Sequence, residues 1–179
     1  MKSSSIVFAS VLFLAASGAF AQGTAPGPAG PSDAQIAHIV VTANQVDIDA
    51  GKLAQSKGKS KDVKAFGKQM VTDHTGVNKQ AVALVTKLKV KPEDNPTSQS
   101  LKSGGEENVK KLKGLKGAEF DKAYTDHEVA YHEQVLDAID KTLVPNAKNE
   151  ELKALIVKVR PAFVAHLEHA KMIQAKLGK

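Results

Sequence analysis

The sequence contains no cysteine and no tryptophan, and aromatic residues make up only 4% of its 179 residues. Without cysteine, disulfide bonds, thiolate catalysis, zinc fingers and cysteine-bound iron–sulfur clusters are excluded. The low aromatic content argues against the stacking surfaces that bind single-stranded nucleic acids. A G-x-S-x-G elbow, a P-loop and a G-x-G-x-x-G motif are also missing from the sequence, so nucleophilic hydrolysis finds no support.

The N-terminal region predicts export. Lys2 precedes an apolar stretch at residues 6–16 that is too short to span a bilayer, and residues 19–21 form an A-x-A cleavage site. We therefore predict a signal peptide at residues 1–21, followed by a flexible Gly/Pro/Ala-rich linker at residues 22–32; a retained membrane anchor is the alternative.

Export predicts a periplasmic or secreted protein that has no nucleic acid partner and no stable membrane insertion after signal cleavage. The formal net charge of +6 allows weak contact with anionic envelope surfaces. The sequence identifies no protein partner.

The rest of the chain predicts helices, because apolar residues recur at spacings of three and four and no segment alternates with a period of two. Four long helices are predicted at residues 33–57, 60–90, 118–144 and 149–177, and a short weak helix at 98–112. We expect an all-α, up-down-up-down four-helix bundle domain over residues 33–177, with a long connection between its second and third helices. Pro161 should kink the last helix.

Polar side chains interrupt the apolar stripe near the middle of every long helix. Asp47 interrupts the first stripe, His74 the second, His132 the third and His166 the fourth. Glu128 lies four residues before His132, on the same helical face. A buried ionised group costs several kcal/mol unless it is paired or bound to a metal. These five residues therefore form one candidate site.

Three interpretations of this site remain open. The side chains can hydrogen-bond across the core and set helix register, bind a divalent transition metal such as Fe, Mn, Zn or Cu, or hold an organic ligand. The Glu-x-x-His pairs of di-iron bundles are missing from the sequence. Counting residues from the helix ends spreads the interrupting residues over about 10 Å, which favours a polar ladder over a single ion.

The other histidines and acidic residues near the stripes receive separate predictions. Asp73 either orients His74 as an outer carboxylate or is exposed. His38, His127 and His169 lie at the flanks of their stripes and are expected at the surface.

The chain resembles the exported, ferritin-like bacterial proteins of "domain of unknown function 4142". The resemblance rests on residues 51–54 (GKLA), 66–75 (FGKQMVTDHT), 120–124 (FDKAY) and 160–161 (RP), with His132 and His166 following the last two. It implies a ferritin-like bundle and export to the periplasm or beyond, and it implies no settled activity.

The same resemblance bears on the candidate site. Asp73, His74, His132 and His166 match positions of the family's pattern. The family has a glutamate where this chain has Asp47, and Glu128 matches no family position, so its assignment rests on spacing alone.

Two functions follow as expectations. The first is a non-enzymatic envelope or stress-related protein, in which the cluster sets register or binds metal weakly. The second is a metal-binding protein or metal-dependent oxidoreductase that uses the same residues. Neutral buried imidazoles would have a pKa below about 6.5 and make the protein less stable in acid, whereas imidazoles paired with Asp47 and Glu128 would have a raised pKa.

Overall fold

A computed structural model describes residues 30–178 of the chain. This part is all-helical, and it contains no strand, as the sequence predicts. The predicted signal peptide and most of the predicted linker lie outside the described residues. None of the helices in the described part has the length and apolar character needed to cross a membrane.

Five long helices account for most of this part of the chain. The elements in order are α1 (Asp33–Lys57), α2 (Lys61–Lys87), α3 (Pro96–Gly114), α4 (Gly117–Ala138), a π-helix (Ile139–Leu143), the single turn α5 (Val144–Asn146) and α6 (Glu150–Leu177).

Side-chain caps explain where four of the long helices begin. The Ser32 hydroxyl accepts from the Gln35 backbone N–H while the Gln35 side chain accepts from the Ser32 backbone N–H, which forms a capping box at α1. Ser60 caps α2, and Asn149 caps α6 by accepting from two backbone N–H groups. Each cap satisfies donors that a helix start leaves unpaired, and so places the boundary.

The segment between α2 and α4 is more ordered than the sequence indicated. A full 19-residue helix, α3, stands where a short weak helix was expected. Asn95 and Ser98 form a capping box at its start, and Pro96 occupies the first turn, where its missing N–H costs nothing. The predicted four main helices are therefore five.

Hydrogen bonds at the two ends of the molecule show the direction of each helix. Asp33, at the start of α1, accepts from the backbone N–H groups of Lys148 and Asn149, just before α6. Asp121, near the start of α4, accepts from the backbone N–H groups of Lys59 and Ser60, between α1 and α2. The connections α1–α2 and α4–α6 thus lie at opposite ends.

The predicted up-down-up-down order is therefore wrong. α1 and α6 run in one direction, α2 and α4 in the other, and α3 carries the chain back along the outside of α1 between them. Asn95 contacts the backbone of Gln35 at one end of α3, and Lys57 contacts the backbone of Leu112 at the other end. The long connection, for which the sequence predicts only a short weak helix, contains the crossover helix α3, and it reverses the direction of α4.

The end of α4 differs from expectation. Helical structure does not stop before Pro145 but continues through the π-helix and α5 to Asn146. Pro161 lies inside α6, as predicted, and is exposed.

The core consists of two apolar clusters, one toward each end of the bundle. One contains Ile36, Ile139 and Ile156, and the other contains Phe66, Met70 and Phe120. Close packing of α1 on α2 depends on Gly51 and Gly67, since a Cβ on Gly67 would lie 2.7 Å from the carbonyl oxygen of Gly51. Between the two clusters lies a layer of buried polar side chains, which is the candidate site.

Candidate metal centre

Three histidines from three helices meet between the two apolar clusters. The ring centroids lie 5.8 Å apart for His74 and His132, 5.3 Å for His74 and His166, and 5.5 Å for His132 and His166. One nitrogen atom from each ring lies within 4.8 Å of the other two. All three side chains are buried. The inner faces of α2, α4 and α6 therefore bring three imidazoles together in an almost equilateral triangle.

One nitrogen of each ring makes a hydrogen bond to an oxygen atom outside the triangle. His74 Nδ1 lies 2.7 Å from Asn44 Oδ1, and His132 Nδ1 lies 3.0 Å from the backbone oxygen of Glu128. His166 Nε2 lies 2.9 Å from Asp73 Oδ2. Because each partner is an oxygen acceptor, each of these nitrogens carries the proton and donates it.

The other nitrogen of each ring has no hydrogen-bond partner within the described residues. These atoms are His74 Nε2, His132 Nε2 and His166 Nδ1, and all three are buried. With the proton held on the outer nitrogen, each inner nitrogen presents a free lone pair. A buried lone pair without a donor is costly unless a ligand satisfies it.

Three carboxyl groups lie behind the histidines, one for each ring. Asp73 Oδ2 contacts His166, Asp47 Oδ2 lies 3.5 Å from His74 Nδ1, and Glu128 Oε2 lies 3.5 Å from His132 Nδ1. Asp47 and Glu128 are fully buried and have carboxyl oxygens within 4.8 Å of each other, whereas the side chain of Asp73 is partly exposed. Of these three carboxyls, only Asp73 accepts a hydrogen bond from a ring N–H, which is the arrangement that orients histidine ligands in metal sites. The buried carboxyl oxygens of Asp47 and Glu128 have no hydrogen-bond partner within the described residues.

Burial determines the protonation of the Asp47 and Glu128 carboxyls. Desolvation raises the pKa of Asp47 well above its ordinary value, and the adjacent Glu128 raises it further. Desolvation also raises the pKa of Glu128 to about 8, although contacts with Tyr124 and Asp47 act in the opposite direction. The pair is therefore largely protonated at neutral pH, since two like charges this close in a dry interior cannot both be kept.

Burial keeps the three imidazoles neutral. Desolvation lowers the pKa of His74, and the neighbouring His132 and His166 lower it further. Desolvation lowers the pKa of His132 to about 4. The pKa of His166 is lowered by desolvation despite the opposing hydrogen bond from its ring to Asp73. The sequence left two predictions open: neutral imidazoles with a lowered pKa, or imidazoles paired with Asp47 and Glu128 with a raised pKa. The lowered pKa values agree with the neutral imidazoles.

The donor set fits a late divalent transition metal. Imidazole nitrogen suits Zn²⁺ and Cu²⁺, whereas Mn²⁺ prefers oxygen ligands. Three imidazoles on one ion at a metal–nitrogen distance of about 2.1 Å place their ring centres roughly 5 Å apart, close to the observed separations. The geometry is that of three imidazoles that could hold one such ion, with the Asp47 and Glu128 carboxyls behind them.

The structure brings together all five residues selected from the sequence, but in two layers. His74, His132 and His166 form the inner triangle, and Asp47 and Glu128 lie behind it. The estimated spread of about 10 Å, which favoured a ladder over a single ion, is wrong. It assumed that both short connections lie at the same end of the bundle.

The corrected helix directions bring the four interrupting residues to one height. Measured from the end where α1 begins and α4 joins α6, Asp47, His74, His132 and His166 lie about thirteen to sixteen residues in, so they differ by at most about three residues, or roughly 4.5 Å along the helix axes.

The residues around the site were predicted less well. Asp73 pairs with His166 rather than with the adjacent His74. His38, His127 and His169 are half-buried rather than fully at the surface. Asn44, which holds the His74 ring, was missed; the signal was its polar side chain three residues before Asp47, on the inner face of α1.

The fold and the site define an all-helical domain with a buried histidine–carboxyl cluster at its centre. Residues 18–173 match a family model described as "Domain of unknown function (DUF4142)", so the chain belongs to that family. No curated protein and no solved structure matches the chain.

Proposed function

We propose that this domain binds one divalent transition metal ion, Zn²⁺ or Cu²⁺, through His74 Nε2, His132 Nε2 and His166 Nδ1, and that it acts as a non-enzymatic metal-binding protein of the cell envelope. The observation that supports this most directly is the set of three buried, unpartnered nitrogens on neighbouring rings. Histidines that only set helix register would be expected to satisfy both nitrogens within the core.

The outer layer supports the same function. Asn44, the Glu128 carbonyl and Asp73 select the tautomer that leaves each inner nitrogen free to bind a metal. Neutral imidazoles bind a cation without first losing a proton, which favours metal binding at neutral pH.

The fold also supports metal binding, since helical bundles commonly build metal sites from side chains of facing helices. We infer a ferritin-like arrangement of α1, α2, α4 and α6 around the site, with α3 as the long crossover. This inference rests on the helix directions, with two pairs of antiparallel helices joined by one connection that runs the length of the bundle.

The envelope location is inferred from the sequence of residues 1–21. Detection of a chain that begins at Gln22 in a periplasmic or culture-medium fraction tests it. A chain that keeps residues 1–21 in a membrane fraction contradicts it.

A metal-dependent oxidoreductase is the second candidate. The Asp47–Glu128 pair favours it, because carboxyls that hold protons beside a metal centre can donate or accept them. The burial of the three histidines favours metal binding without catalysis, because the substrate of an oxidoreductase needs access to the ion.

Metal titration of the purified chain tests the proposal. We expect one Zn²⁺ or Cu²⁺ per chain by calorimetry and elemental analysis, and four-coordinate visible bands when Co²⁺ is used. The variants His74→Ala and His132→Ala should lose binding by at least about 100-fold, because two imidazoles cannot hold the ion that three hold.

His38→Ala is the matched control. His38 is a half-buried histidine on α1 that faces Asp94, far from the three rings in the fold. It should bind metal with wild-type affinity. A wild-type chain that binds no metal, or a His74→Ala variant that binds as tightly as His38→Ala, contradicts the proposal.

A further inference from the structure

A cavity of about 610 Å³ lies beside the histidine triangle, between α1, α3, α6 and the end of α4. We propose that this cavity binds a small, neutral, largely apolar organic molecule. The binding does not depend on the metal.

Aliphatic side chains from four directions form most of the cavity wall. Val40 comes from α1, Leu101 from α3, Ile139 from the π-helix and Val159 from α6. The mouth includes Thr97, Ser100 and Gly104 of α3, which are exposed. The volume lies within the range of small-molecule sites, which are concave and mostly apolar with a few polar groups.

The lining contains no aspartate, glutamate, lysine or arginine among the described residues, although such residues make up 25% of the chain. Its two titratable groups are His127 and Tyr131. Burial lowers the pKa of His127 to about 4, so this imidazole is neutral at pH 7. A charged ligand would lose its hydration here without meeting an opposite charge, whereas a neutral one would not.

A second depression beside α3 shows that this neutrality is local. It lies between α1 and α3 on the other side of α3, and Asp49, Lys52, Asp94 and Lys102 line it. The chain thus places charges around one concavity and excludes them from the other. Because the described residues in the wall of the 610 Å³ cavity carry no charged side chain, the cavity favours a neutral ligand.

The wall also carries polar groups for orientation. Gln134 offers an amide group, and Thr142 offers a hydroxyl group from the π-helix. His127 Nε2 is buried and has no partner within the described residues. π-helical turns inside α-helices often mark functional sites, and this one directs Ile139, Thr142 and Leu143 to the same wall.

Phe163 separates the cavity from the metal centre. It lines the cavity, and its ring lies 5.0 Å from the His74 ring and 6.1 Å from the His132 and His166 rings. A molecule in the cavity therefore lies next to the centre without contacting the three nitrogens.

A series of compounds that share a ten-carbon chain tests the proposal on the full-length protein, with EDTA present to remove metal. The neutral fluorophore N-phenyl-1-naphthylamine reports occupancy, and 1-decanol, decanoate and decyltrimethylammonium compete with it. We expect 1-decanol to displace the fluorophore at concentrations at least about tenfold lower than either ion, because only the ions lose uncompensated hydration. Equal competition by all three compounds, or no fluorophore binding, overturns the proposal.

Two glycine variants on α3 locate the binding. Gly104 lines the cavity and Gly114 does not, and a Cβ on either meets no atom within 4 Å. Gly104→Phe should weaken fluorophore binding by about tenfold or more, while Gly114→Phe should leave it unchanged. Equal effects of the two variants overturn the proposal, as does sedimentation showing that a second copy of the chain covers this face.

Discussion

At the scale of single residues, the centre depends on which nitrogen of each histidine carries the proton. Asn44 illustrates this, since its Oδ1 accepts from His74 Nδ1 while its Nδ2 donates to the Val40 carbonyl. The second bond fixes the orientation of the amide, so the oxygen and not the nitrogen faces the ring. The free lone pair on His74 Nε2 follows from that orientation.

Removing this amide should weaken metal binding without removing a ligand. For Asn44→Ala we expect a 10- to 100-fold loss of Zn²⁺ affinity by calorimetry, because the His74 ring is then free to rotate and change tautomer. The control is Asn78→Ala, which removes a half-buried amide that contacts the Val41 carbonyl and no histidine. Equal affinities for the two variants would show that Asn44 does not position His74.

The buried carboxyls and imidazoles have opposite effects on the pH dependence of the free energy of unfolding of the metal-free protein. The folded pKa of Glu128 is about 8 and its ordinary value is 4.5, so the folded chain holds a proton that the unfolded chain releases, and stability falls as pH rises through that window. The folded pKa of His132 is about 4 and its ordinary value is 6.5, so stability falls as pH drops through that window. Glu128 destabilises the protein above about pH 6.5 and His132 destabilises it below about pH 4.5, so the free energy of unfolding should be largest between these two pH values.

The variant Glu128→Gln separates the effect of the carboxyl from that of the imidazoles on the pH dependence of stability. Urea unfolding with EDTA present should show a smaller loss of stability between about pH 6.5 and 8 than in the wild type, where one proton changes the free energy of unfolding by up to about 1.4 kcal/mol per pH unit. Glu133→Gln, at an exposed glutamate of α4, should keep the wild-type slope. An unchanged alkaline limb in Glu128→Gln would show that Glu128 is ionised in the folded protein.

At the scale of elements, the close contact of α1 with α2 positions both Asn44 and His74. A Cβ on Gly67 would lie 2.6 Å from Ala54 Cβ and 2.7 Å from the Gly51 carbonyl oxygen, and both of these atoms belong to the rigid helix α1. The two helices must therefore separate if residue 67 carries a side chain.

A pair of alanine variants on α2 tests this contact. Gly67→Ala should lower the free energy of unfolding by about 1–3 kcal/mol, because it overpacks the helix interface. Gly76→Ala, where a Cβ meets no atom within 4 Å, should raise it by up to about 1 kcal/mol through helix propensity. Chemical unfolding measures both, and stabilisation by Gly67→Ala would contradict the interface.

At the scale of the whole molecule, the polar layer divides the core and links its four central helices. In the metal-free protein, three lone pairs and two protonated carboxyls lie buried between two apolar clusters. Such a layer lowers the free energy of unfolding, and a ligand that binds only the folded state raises it again.

Metal should therefore raise the melting temperature of the whole domain. At a free Zn²⁺ concentration 100 times the dissociation constant, linkage gives about 2.7 kcal/mol of added stability. Thermal unfolding followed by circular dichroism measures the shift, which His132→Ala should abolish and His38→Ala should retain. A wild-type melting temperature that does not change with Zn²⁺ would contradict a site formed only by folding.

Local pattern was enough to predict the helices, the absence of strands in residues 30–178 and the five central residues of the site. Apolar spacing identifies the buried face of a helix wherever it packs, so Asp47, His74, Glu128, His132 and His166 could be recognised as interruptions of that face. The helical character of α3 was only partly visible, because its sequence is polar and its helix is stabilised by the Asn95–Ser98 cap and by packing on α1.

The tertiary structure alone decided that the five residues form one centre in two layers. Sequence spacing does not contain the direction of α4, which follows from the length of α3 and from the contacts of Asp33 and Asp121 at opposite ends of the bundle. Relative to the predicted order, α4 and α6 both run in the reverse direction, which changes the heights of His132 and His166. The predicted ladder thereby becomes a triangle of rings about 5.5 Å apart. The partners that set each tautomer, Asn44 and Asp73, come from other helices, and their positions depend on packing rather than on local pattern.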